Sequence, residues 1–176
     1  MAVPCPPPEA VHGRYGYRVS WDIVLLRFQD GDAVAFDPDE VKRIVLAEKG
    51  VREIEPGVAE LTTDGVADVY FGDQSPEIMF FVFAGSATVT QLVYELASAL
   101  QMVVFFPADS GDGWGAAVVD ATAAEAMPDR SWSGWQDFGE DFHPPDAALC
   151  PTVADLDTVL GGAYGAWENW AHKQRE

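Results

Sequence analysis

EIMFFVFAG (Glu77–Gly85), SATVTQLVYELASALQ (Ser86–Gln101) and MVVFFP (Met102–Pro107) follow one another without a break, and their reading decides the fold. Ile78 to Phe83 and Met102 to Phe106 are apolar at every position, without the alternation of a strand that has one wet face. Both are expected as interior strands. Between them Val89, Leu92, Val93, Leu96, Ala97 and Leu100 recur at helical spacing, with Thr90, Gln91, Glu95 and Ser98 on the other side. Such a helix lays one stripe on a sheet. Gly85 ends the first strand, Ser86 or Thr88 can accept from the orphan amides of the first turn, and Pro107, with no amide to donate, closes the second. The unit reads as a β-α-β crossover, an arrangement that is right-handed in nearly all cases.

Upstream, YRVSWDIVLLRF (Tyr17–Phe28) alternates as a strand, with Val19, Trp21, Ile23 and Leu25 on one face and Ser20 and Asp22 opposite. It turns apolar on both faces at Val24 and Leu26. After an Asp30-Gly31-Asp32 turn, FDPDEVKRIVLAEKG predicts a helix with Asp37 as N-cap, Pro38 first, acids in the first turn and Gly50 as stop. Val58–Thr62 and Val66–Phe71 flank Thr63-Asp64-Gly65, a strong hairpin signal.

Downstream, GAAVVD (Gly115–Asp120) is expected as an edge strand hairpinned onto its predecessor. Residues 121–151 are irregular and aromatic, with a short helix expected over Thr122–Met127. Thr152–Gln174 predicts a C-terminal helix capped by Thr152, with a break near Gly161 because Gly161, Gly162 and Gly165 are poor helix formers. Residues 1–13, with PCPPPE, read as an extended proline-rich tail, and 14–176 as one domain. The expected class is α+β: a two-layer sandwich with a mixed, mainly antiparallel sheet, in the order β-α-β-β-β-α-β-β plus a C-terminal helix. That order resembles a ferredoxin-like βαββαβ plan with one additional strand, a scaffold that serves many functions.

The 176 residues, 48% hydrophobic and 12% aromatic, suit one domain with a sizeable core. No apolar run approaches the roughly 18 residues of a membrane span. MAVPCPPPEAVHG shows no basic region followed by an apolar one, so no secretory signal is read and a cytoplasmic address is expected. Charge is the departure from average: 29 acidic residues against 10 Lys and Arg give a formal net charge of -19. Arg130 is the single Lys or Arg between Glu53 and His172. Such a field repels nucleic acid and anionic membranes and draws in basic partners, while it also favours solubility.

Catalytic signatures are absent: there is no GxxxxGK[ST], GxGxxG, HExxH or GxSxG. GDGWG (Gly111–Gly115) is acidic and lacks the lysine of a phosphate loop, so it reads as a connecting loop. Asp109, Asp112 and Asp120 do not have calcium-loop spacing, and His12, His143 and His172 share no spacing; neither a metal site nor a cofactor is assigned. Cys5 and Cys150 are too few for a disulfide framework, and Cys150 near His143 is a pair only if the fold makes it one.

The most distinctive chemistry lies in SWSGWQDFGEDFHPPD (Ser131–Asp146), which sets Trp132, Trp135, Phe138 and Phe142 among carboxylates. Aromatic rings beside acids can grip a cationic surface; the plainer reading is a loop with buried rings and solvated acids. The function expected from this profile is a non-catalytic acidic module that binds a basic protein, such as a bacterial immunity protein occupying the positively charged site of a nuclease-type toxin. Trp135 and Phe138 are then anchors, and Asp137, Glu140 and Asp141 pair with cations. The alternatives are a small-molecule-binding protein or enzyme with a cleft under 121–151, and a structural homodimer built on Trp135, Trp167 or Trp170.

Overall fold

Alternation along Tyr17–Phe28 makes a strand, and in the computed structural model, which describes residues 20–72, 76–108, 113–139 and 142–173, that strand is β1 (Trp21–Gln29). Residues 17–19 and the 1–13 tail lie outside the described residues. After β1 come β2 (Asp32–Ala33), α1 (Pro38–Ala47), β3 (Val51–Glu55), β4 (Val58–Leu61), β5 (Val66–Tyr70), β6 (Glu77–Ala84), α2 (Ala87–Leu100) and β7 (Met102–Pro107). The chain continues through β8 (Trp114–Val118), α3 (Ala121–Glu125), a 3-10 helix (Ser133–Phe138), β9 (Ala147–Leu149) and α4 (Val153–Lys173).

The strands form one sheet in the order β3-β4-β5-β6-β1-β7-β8-β9, with β2 paired to β1. All described pairings are antiparallel except β8 with β9. β6 and β7 each pair with β1, so the β6-α2-β7 crossover straddles the central strand and its two strands run parallel. The fold is therefore mixed α and β on a mainly antiparallel sheet.

Helix ends form where side chains satisfy the first amides. Asp37 accepts from the Asp39 amide at 3.0 Å, and Ser86 from the Val89 amide at 3.2 Å. Thr152 and Asp155 make a reciprocal capping box: Thr152 Oγ1 accepts from the Asp155 amide at 3.2 Å, and the Asp155 carboxylate accepts from the Thr152 amide at 3.1 Å. Gly50 stops α1 at φ +84°, where a Cβ would lie 1.7 Å from Thr63 Oγ1. A β-carbon at that turn would collide with the β4–β5 hairpin.

Two cores lie on opposite faces of the sheet. On the first, α1, α2 and α4 cover Trp21, Ile23, Leu25, Ile78, Phe80, Val82 and Val104. On the second, Val24, Leu26, Phe28, Val103 and Phe105 meet Ala123 of α3 and Trp135 of the 3-10 helix. This second core explains why β1 turns apolar on both faces.

Several expectations are corrected. Four strands rather than three separate α1 from α2, because Val51–Glu55 pairs with β4 as β3, so the ferredoxin-like order is not reproduced. Two layers describe only part of the sheet, since residues from the 121–151 segment add a third over β1, β7 and β8. β6 alternates buried and half-buried residues, its second face being less fully covered than its first. β8 is not an edge, because β9 pairs on its far side. α4 runs through its glycines unbroken: burial of Leu156, Leu160, Ala163, Trp167 and Ala171 outweighs their poor propensity. No helix among the described residues is long and apolar enough to cross a membrane.

Candidate binding face

The segment singled out for its aromatic residues builds a plate of rings on the second sheet face. Trp135 lies 5.7 Å from Phe28 and 5.8 Å from Phe105 between ring centroids, and Phe138 stacks on Phe142 at 4.6 Å. Trp114 of β8 meets Phe138 edge-on at 5.4 Å. Two indole hydrogen bonds fix the plate: Trp135 Nε1 donates to the Asp129 carbonyl at 2.8 Å, and Trp132 Nε1 to Asp32 Oδ1 at 3.0 Å. Gly134 is required there, since a Cβ would lie 2.2 Å from the Trp132 ring.

Trp135 is 3% exposed, so its ring belongs to the second core and is withdrawn from the surface a partner meets. Phe138 is half-buried and Asp137 exposed. Glu140 and Asp141 lie outside the described residues. Of the five residues chosen from sequence, Asp137 and the outer edge of Phe138 remain on the described surface. Trp167 is buried and Trp170 half-buried on the face of α4 that packs against the first core.

Beyond the plate, strand register assembles a row that no motif announces. Arg52, Glu60, Asp68, Phe81 and Asp22 are successive cross-strand partners over β3, β4, β5, β6 and β1, and so share one face. Arg52 binds Glu60 Oε2 through Nε at 3.0 Å and Nη2 at 2.8 Å. Glu60 and Asp68 are buried, and Tyr70 packs edge-on against Phe81 at 5.1 Å. Burial lifts the Asp22 carboxyl to about 6, although the Ser20 hydroxyl, donating to it at 2.6 Å, pulls the other way. Burial also raises the Tyr70 hydroxyl, and the negative charges of Asp68 and Glu55 raise it further.

Row and plate meet at Glu77. Glu77 pairs with Leu26 on this face, and its carboxyl is raised first by burial and then by the charge of Asp137. The fold thus sets Asp137, expected to pair with cations, within electrostatic reach of Glu77, to which no sequence pattern points. Asp22, Glu77 and Phe81 escape a motif search because cross-strand register, not spacing, gathers them. The one signal in the sequence is an aspartate inside an apolar strand.

Two further cations are paired away from this face. Lys42 pairs with Glu53 at 2.8 Å and Arg43 with Glu40 at 3.9 Å, both at the α1 side of the molecule. The Cys150 thiol is buried, and burial, then the charge of Asp155, pushes its pKa up; His143 is exposed. A raised, buried thiol is the reverse of an activated nucleophile. Asp120 caps α3, its carboxylate accepting from the Thr122 amide at 2.9 Å, while Asp109 and Asp112 lie outside the described residues. No protein-family model, curated protein or solved structure matches the chain.

Proposed function

We propose that this chain is a non-catalytic acidic module that binds a basic protein and occupies its positively charged site, as an immunity protein does with a nuclease-type toxin. The observation that carries the reading is that Asp137 lies within electrostatic reach of Glu77, beside the half-buried edge of Phe138. The charge of Asp137 reaches the partly desolvated Glu77 carboxyl and disfavours its ionisation in the free protein. An arginine or lysine placed between them reverses that interaction, and the half-buried edge of Phe138 supplies apolar area beside Asp137. The net charge of -19 adds long-range attraction for a cationic partner. Beneath the 3-10 helix Trp135 packs against Phe28 and Phe105, so the reading places no ligand at that part of the 121–151 segment.

The test replaces Glu77 and Asp137, together with Glu140 and Asp141, by their amides. Association with the basic partner is expected to slow by roughly tenfold or more at low salt, because steering acts mainly on the on-rate. The melting temperature should hold or rise, since the Glu77 carboxyl is raised by burial and by Asp137. Unchanged association kinetics would show that the partner docks on another face.

A further inference from the structure

On the opposite face from the acidic row, between the start of α2 and the middle of α4, lies a cavity of about 270 Å³. Its walls are apolar, drawn from Trp21, Val82, Val89 and Leu160, with the Tyr164 ring on one side. Trp21 and Tyr164 meet edge-on at 5.5 Å, and Trp21 is held by its Nε1, which donates to the Pro107 carbonyl at 3.2 Å. The rings are therefore fixed before anything binds. At the mouth stands Asp157, whose Oδ1 accepts from the buried Thr90 hydroxyl at 3.1 Å. That bond orients the carboxylate and leaves its second oxygen to serve another donor.

Gly161, one turn along α4 from Asp157, lines the same cavity, and a Cβ there would meet nothing within 4 Å. No close approach requires this glycine, and its poor helix propensity makes it a cost to α4. What its missing side chain preserves is open access to the cavity.

From these features we infer that the cavity binds a small aromatic or branched aliphatic amine. The apolar body lies against Trp21, Val89 and Leu160, and the ammonium group bonds Asp157 with the Tyr164 ring face alongside. The volume falls just below the roughly 300–1,000 Å³ of drug-sized pockets, which limits the ligand to about a dozen heavy atoms. An acid of similar shape is rejected by the Asp157 charge, and a neutral alcohol forgoes the ion pair.

Phenethylamine, phenethyl alcohol and phenylacetate serve as probes, with binding to the full chain followed by chemical-shift titration and by thermal stabilisation. Phenethylamine should bind and stabilise, the alcohol more weakly, phenylacetate not at all. Asp157→Asn keeps an acceptor for Thr90 and should weaken amine binding by about tenfold or more, the usual scale of a lost charged hydrogen bond. Gly161→Leu should leave the protein folded, with an equal or higher melting temperature, and abolish binding. The inference is overturned if phenethylamine neither shifts cavity resonances nor stabilises the protein. It is equally overturned if the acid binds as well as the amine, or if Asp157→Asn binds the amine undiminished.

Discussion

Asp22→Asn removes one charge from the centre of the sheet while keeping an oxygen for the Ser20 hydroxyl. The folded carboxyl titrates at about 6 against an ordinary 3.8, burial being the larger influence and the Ser20 bond opposing it. At about 1.4 kcal/mol per pH unit, that difference corresponds to a cost of about 3 kcal/mol for holding Asp22 ionised. The sign follows from proton counting. Between about pH 4 and pH 6 the folded chain keeps a proton that the unfolded chain has released, so stability falls as pH rises through this window. Above pH 6 the full cost is present; below pH 4 it is gone. The amide variant should therefore match the parent near pH 4 and exceed it by about 3 kcal/mol at pH 7 and above. For a chain of this length that is a gain of roughly 6–12 °C in melting temperature. Urea unfolding of both proteins at pH 4, 5, 6, 7 and 8 reads the difference directly, since every other titrating group cancels. A difference that does not vary with pH, or a variant less stable than the parent at pH 7, would refute the assignment of the cost to Asp22.

Other substitutions probe other parts of the fold. Trp135→Ala should cost about 3–5 kcal/mol in urea unfolding, because the ring joins the 3-10 helix to Phe28 and Phe105; a loss under 1 kcal/mol would mean the plate is not a core. Gly50→Ala should destabilise by about 1–3 kcal/mol, since it forces a positive φ on alanine and a clash with Thr63. Cys150 should resist a thiol reagent in the folded protein at pH 8 and react fully in urea, its thiol being buried and raised; rapid labelling of the folded protein would contradict that placement.

The elements set by short-range signals were legible. Asp37-Pro38 starts α1, Thr63-Asp64-Gly65 turns the β4–β5 hairpin, and continuous apolar runs mark β6 and β7. What the sequence hid depends on contacts between distant segments. Val51–Glu55 has no strand-like alternation, with Arg52, Glu53 and Glu55 among five residues, yet β4 and the Arg52–Glu60 ion pair hold it in the sheet. Ala147–Leu149 becomes a strand only because β8 lies beside it. The glycines of α4 predict a break, and packing against the first core overrides them. The same logic divides the candidate face. Asp137 and Phe138 stood out as acids among aromatics, but the burial of Trp135 depends on a second core. Asp22 and Glu77 acquire their setting from strand register and from the 3-10 helix laid across the face.

The most direct test of the acidic-docking account is capture from an extract of the native host, at low salt, on immobilised protein washed with rising ionic strength. The parent chain and the variant with amides at Glu77, Asp137, Glu140 and Asp141 are compared side by side. The account predicts that the parent holds one basic protein, that salt releases it, and that the variant fails to hold it. A parent that captures no basic protein, or a partner held equally by the variant and indifferent to salt, would contradict it.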